Sequence, residues 1–520
     1  MEIETGSESV PQKEQLPPPA PAPAVWSESP RGSRRSPAVR RVLIASVAGC
    51  VVLGGVLVLW PGSGGKAAPP ALGPAGRAMA AAGAGAPAAL PDLTVLIGER
   101  EAHVRKHPGD DQSWAVLGAA YVERGLRTAD SAYYPKAEEA LRTSLKTRPE
   151  GNAQALTGMA VLANARHDFR GAKKWAESAV KLSPKRWSTY PALIDAYSGL
   201  GDAKGVGKAL ETLQELNSGA SVMALSGQVY RDRGWREDAA SKLMDAAALA
   251  EGPAAKAACL YRVGELSWER GEPSEALRYY EAALLSDPDH HPSLAGKGRA
   301  LAALGRTSEA LRSYQSALVR QPAPGYALEL GELYESLKLA PAARAQYDVL
   351  RARVKQEGFN GVNDERILGL FEADHGDAEA AVDRLRKEFK RHGSPEVADA
   401  LGWALHRAGE GKEALKYATR ATKKGPRSAV FAYHRGEIER ELGRYGAARR
   451  HIGEALRLNP HFSPLLAPEA EEAMNALGDP PEGGPEEMYA PTPQAAPPST
   501  PRPPSEAQPK PTPRTTSPQT

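Results

Sequence analysis

One register position, glycine in most copies, returns along this chain at an interval that only stacked two-helix units explain. It holds Gly118, Ala160, Ile194, Gly227, Gly264, Gly298, Gly331, Gly369, Gly402 and Gly436. The steps between them are 42, 34, 33, 37, 34, 33, 38, 33 and 34 residues. Twelve residues after nine of these lies a second position, with Ala172, Val206, Ala239, Ala276, Ala310, Ala343, Ala381, Ala414 and Ala448. In the first unit its equivalent, Ala137, is displaced by a seven-residue insertion around Thr128–Tyr134. Pro149, Pro184, Pro288, Pro322, Pro426 and Pro460 close units. Self-similarity at such a period marks a repeat architecture. Small residues at both positions let two helices approach closely. Gly234, Gly271, Gly305, Gly376, Gly409 and Gly443, between the helices, suit a turn with positive φ.

The pattern resembles the tetratricopeptide repeat family. Unit one opens with Trp114, Leu117, Gly118, Tyr121 and Gly125. Unit six carries Leu294, Gly298, Leu301, Gly305, Ala310, Tyr314, Ala317 and Pro322, and unit nine Leu401, Gly402, Leu405, Gly409, Ala414, Ala421 and Pro426. Ile194, Val206 and the missing prolines of units three, four, seven and eight depart from it. The resemblance implies an all-α, right-handed superhelical solenoid of about ten helix pairs over 92–478. Amphipathic stretches at 93–110 and 467–478 are expected to cap its two ends.

The flanks are of another kind. Residues 1–41 are rich in Pro and Ser and read as a disordered cytoplasmic arm. Residues 42–60, nineteen positions without a charge, suit one transmembrane helix ending at Trp60. Arg31, Arg34, Arg35, Arg40 and Arg41 precede that run, whereas Lys66 and Arg77 follow it. The excess of positive charge on one side places the N-terminus in the cytoplasm and the solenoid outside it. A lipobox-like Val47-Ala48-Gly49-Cys50 and a cleavage-like Ala78-Met79-Ala80 are weaker readings. Ten apolar positions continue past Cys50, and Ala78 lies far beyond the apolar run. Ser46, Cys50 and Gly54, four apart, would let two such helices pack and the chain self-associate. Residues 61–91 read as a Gly/Ala/Pro linker, and 479–520, with fourteen prolines, as an extended disordered tail.

Charge excludes little and suggests nothing catalytic. With 66 basic and 63 acidic residues, no field for nucleic acid or an anionic membrane follows from the total. Eleven histidines include no HExxH spacing, and Cys50 and Cys259 support neither a disulfide framework nor a metal centre. No phosphate-binding loop or nucleophile elbow occurs. His290-His291 and Asp374-His375-Gly376-Asp377 fall at turns of the repeat. No enzyme, cofactor or metal is expected.

In the family the first helix of each unit lines a groove. Carried over by position, that groove holds Arg231, Glu265, Arg299, Glu332 and Glu437, with Trp268, Trp403, His406 and Arg440 beside them. Tyr261 and Tyr433 lie a turn earlier, and Asp195, Gln228 and Glu335 extend the set. Trp and Arg are the residue types that most often anchor interfaces. The family's clamp for a C-terminal carboxylate is absent: Ala119, Val161 and Asp195 stand where it has Asn, and Ala115, Thr157, Pro191 and Ala224 where it has Lys.

The resemblance thus implies a membrane-tethered scaffold holding a protein or peptide, without nucleic acid. Alternatives are an architectural protein whose Lys510 and Arg514 meet wall polymer, and an adaptor modified at Ser27, Ser29, Ser33 or Ser36. Ala, Gly, Arg and Pro outweigh Ile, Asn and Lys, a bacterial flavour. The chain also resembles membrane-anchored repeat proteins of bacteria, which adds no function.

Overall fold

The computed structural model describes residues 71–478. The arm, the apolar run 42–60 and the Pro-rich tail lie outside the described residues. Among those described, no helix is long and apolar enough to cross a membrane.

Ten helix pairs follow one another without a strand among the described residues. The first helices of units one to five are Asp111–Thr128, Ala153–Ala165, Tyr190–Gly199, Ala220–Asp232 and Pro253–Glu269. Those of units six to ten are His291–Ala303, Pro324–Ser336, Glu365–His375, Pro395–Arg407 and Ala429–Glu441. Each second helix packs antiparallel on its own first, from Tyr133–Thr147 in unit one to Tyr445–Leu458 in unit ten. Leu90–Lys106 precedes unit one, overlapping the stretch 93–110 and beginning three residues earlier, and Leu466–Leu477 follows unit ten.

The register positions explain the packing. A Cβ on Gly402 would lie 3.0 Å from the Ala418 nitrogen and 3.2 Å from the Ala414 oxygen, so backbone itself fills the space. At Gly298 and Gly331 the rings of Tyr314 and Tyr347 lie over the glycine instead. Ile194, at a glycine position, is buried beside Val206, the larger residue at the alanine position. Between the helices, Gly234, Gly271, Gly305, Gly409 and Gly443 take positive φ as expected. Gly376 does not, with φ −146°. His167 and Lys338 adopt the left-handed turn without glycine, at φ 59° and 61°.

The linker expected over 61–91 is corrected where it is described. Pro74–Gly83 is a helix with Ala75 and Ala78 buried, and Arg77 Nε donates to Asp92 at 2.8 Å.

The superhelix winds tightly enough for its successive turns to touch. The helix–helix turn of unit two meets the junction after unit seven: Arg166 Nε donates to the Asn360 carbonyl at 3.0 Å. Gly201 of unit three lies against Ser394, and Arg236 of unit four donates to the Arg427 carbonyl at 3.0 Å. In unit five, the Asn459 amide donates to the Trp268 carbonyl at 2.8 Å. Unit one joins the series through Gln321, which donates to the Leu126 carbonyl at 3.2 Å.

One of these contacts titrates. His167 Nδ1 lies 3.4 Å from Asp364 and 3.0 Å from the Asn363 carbonyl. Burial works to lower the imidazole, but Asp364 outweighs it and holds His167 above its ordinary value. Burial likewise works to raise Asp364, and His167 holds it below the ordinary carboxylate value. The histidine contribution is complete below about pH 6.5 and fades as pH rises through its folded value. The aspartate contribution is complete above about pH 4 and fades as pH falls through its own. The contact is therefore strongest between the two. His167 is expected to titrate above the usual histidine range by NMR and to fall back in Asp364→Asn; an unchanged His167 would refute the pairing.

Candidate functional site

The residues singled out on the first helices do not wait singly for a ligand; most are tied to the neighbouring unit. A helix pair advances the chain by about 34 residues, so acids and bases of adjacent units meet. Arg231 reaches Glu269 of unit five at 2.6 Å. Arg299 of unit six sits between Glu265 at 3.3 Å and Glu329 at 3.0 Å. The Tyr280 hydroxyl donates to Glu265 at 2.6 Å and that of Tyr314 to Glu329 at 2.8 Å. Tyr261 packs its ring on Tyr280 and His290. Trp268 lies under the Arg299 guanidinium, 5.6 Å from it. Burial raises the Glu332 carboxyl, while His375, 4.0 Å away, works against that rise.

Units nine and ten use their set for packing. Trp403 is 2 % exposed, stacks on His434 with centroids 4.1 Å apart, and donates from Nε1 to Asp374 at 2.9 Å. His434 pairs with Asp399 at 2.9 Å. Tyr433 donates to Glu469 of the terminal cap at 3.1 Å, and Arg440 meets Glu437 at 2.8 Å. His406 lies 2.6 Å from Glu441.

The structure thus divides the set. Trp268, Arg299 and Glu332 line one cavity of about 560 Å³ on units five to seven, with Glu265 behind Arg299. Trp403, His406, Tyr433, Glu437 and Arg440 belong to the packing of units nine and ten, and Arg231 to the contact between units four and five. Ser336, Leu337 and Ala302 complete the cavity wall. Its roof is Pro460–Glu471, the chain that leaves unit ten, with His461, Phe462 and Pro464 facing in. A second cavity, of about 470 Å³, is lined by Asp195, Gln228 and Asp232 from one superhelical turn and Asn363, Arg366 and Glu396 from the next. Asp195 and Gln228 had sequence support, but their partners across the turns had none.

The turn residues singled out have local partners. Asp377 caps the helix Ala378–Arg391 by accepting from the Glu379 and Ala380 amides. Burial pushes His290 down to about 4, and His290 Nδ1 lies 2.8 Å from the Ser293 hydroxyl. Cys259 is buried among Ala224, Ala246 and Ala247. Among the described residues, no group of three or more His, Cys, Asp or Glu is placed to hold a metal ion.

A tetratricopeptide repeat family matches residues 261–322, 295–357 and 400–461. The comparison with curated proteins gave no match. Among solved structures, the human IFIT1 dimer with PPP-AAAA is 17 % identical, over 67 % of this chain and 81 % of that one, with a TM-score of 0.42. TTC0263, a thermophilic TPR protein of Thermus thermophilus, is 23 % identical over 36 % of this chain and 98 % of its own, with a TM-score of 0.31. PilF of Pseudomonas aeruginosa is 17 % identical over 38 % and 90 %, with a TM-score of 0.32.

Proposed function

We propose that this chain, a protein of tetratricopeptide repeats, is a membrane-tethered scaffold that holds a protein or peptide on the extracytoplasmic side. The observation that carries the reading is the cavity on units five to seven. It offers an aromatic face (Trp268), an apolar rim (Leu337) and charges already paired, so a peptide need not bring a counter-charge. Its roof belongs to the chain end, and a ligand entering there would share or displace Pro460–Glu471. The apolar run 42–60 supplies the tether, and the arginines before it the orientation.

Photo-reactive residues at Ser336 and Ala302 of the full chain, activated in cells, are expected to yield one discrete protein adduct. Leu337→Glu, at the rim, is expected to abolish it. Adducts confined to the chain's own Pro460–Glu471 would overturn the cavity as the binding site. Carbonate extraction and protease accessibility test the tether separately, and release into the soluble fraction would overturn it.

A further inference from the structure

The near-zero total charge conceals a segregation. Nine residues after the repeat alanine, on the outward side of each second helix, the chain carries Lys146 and Lys181 in units one and two. The same position holds Glu215 in unit three, Ala248, Leu285, Val319 and Ala352 in units four to seven, then Lys390, Lys423 and Arg457 in units eight to ten. Seven residues earlier on the same helical face, units nine and ten add Lys416 and Arg450, whereas unit eight has Asp383 there. Lys390, Lys416, Lys423, Arg450 and Arg457 are exposed, and none lies within ion-pair distance of a carboxylate among the described residues. Of the acids close by, Glu413 pairs with Arg386 at 3.0 Å and Glu454 with Arg427 at 3.5 Å, which leaves the exposed Asp383 outnumbered by the five cations. Superhelical winding enlarges the face, because Arg170 of unit two donates to the Lys390 carbonyl at 2.9 Å. That contact sets the first turn of the helix bearing Lys181 against the last turn of the helix bearing Lys390, with Lys181 at the far end.

We infer that this outer face of units eight to ten, extended by unit two, docks on a bilayer surface rich in anionic lipid. Seven residues of helix separate the two cations on one helix by about 10 Å, and the second helices of successive units, each parted from the next by a first helix, repeat that file across the face. The cations therefore form an array in two directions. A linear polyanion would occupy one file of it and leave the rest unmatched, whereas a leaflet of phosphate headgroups presents negative charge in both. Each basic residue near such a surface adds to the partition in proportion to the surface potential, and salt weakens it.

The solenoid 71–478 lies within one compact unit with its own buried clusters, and it lacks the run 42–60, so a failed tether and a failed docking face are told apart. Sedimentation with vesicles of phosphatidylglycerol and phosphatidylcholine is expected to carry the solenoid down at low salt, and vesicles of phosphatidylcholine alone are not. Lys416→Gln/Lys423→Gln/Arg450→Gln is expected to lower the partition about a hundred-fold, with an unchanged melting transition. Lys416→Arg/Lys423→Arg is expected to retain it. Absence of binding to the anionic vesicles, an unaffected triple variant, or binding to soluble polyphosphate without binding to vesicles would overturn the inference.

Discussion

Trp403→Ala is expected to destabilise the solenoid by about 4 kcal/mol, the middle of the range for removing a buried indole. The ring is 2 % exposed and packed against His406, Tyr433 and His434, with Arg407 above it. Removing it leaves a void and takes the indole N–H from the Asp374 carboxylate, which keeps only Arg407 at 3.3 Å. Because each unit is held mainly by its neighbours, the loss should also split the unfolding transition, units eight to ten melting first. Urea denaturation followed by circular dichroism measures both effects. Trp403→Phe retains most of the packing and should cost about 1–2 kcal/mol, the bond to Asp374. A loss below about 1 kcal/mol for Trp403→Ala would mean the ring is not packed as described.

Arg299→Met is expected to cost about 3 kcal/mol, for a different reason. Its guanidinium, with the side chain 22 % exposed, stands between Glu265 and Glu329. A cation removed from such a site leaves two carboxylates facing each other without compensation. Arg299→Met combined with Glu265→Gln and Glu329→Gln should recover much of the loss, because neutral amides need no counter-charge. Arg299→Lys should fall in between: it retains the charge but not the two-sided fork. Thermal denaturation of the four proteins at one pH decides the matter. A triple variant no better than Arg299→Met would show that Arg299 acts through its stacking on Trp268 alone.

How far the sequence could be read differs by the range of the interaction. Helix pairing was legible because a pair is local: Gly402 and Ala414 state their own closeness. Partners one unit apart were half legible. Glu265 and Arg299, or Asp399 and His434, sit about one period apart, yet the repeat alone does not say that their side chains meet rather than face a ligand. Trp268 and Trp403 show the difference, since both fall on first helices and only one lines a cavity. Contacts between superhelical turns were not legible at all. Asn459 and Trp268, or Arg166 and Asn360, come together through small rotations accumulated over five units, which no local pattern records. The basic face was hidden in the same way, its members dispersed in a chain of balanced charge. Pro74–Gly83 escaped because the Gly and Pro around it give the whole stretch the composition of a linker.

The meeting of units two and seven, three and eight, four and nine, five and ten has a consequence for inheritance. An open array can gain or lose a copy by unequal recombination and remain serviceable, since every copy sees the same two neighbours. Here a duplicated unit in the middle would shift every partner on the upper coil by one place. His167 would face the wrong loop and Asn459 would overshoot Trp268. The coil therefore counts its own members: lineages carrying this architecture should vary in the sequence of their units far more freely than in their number.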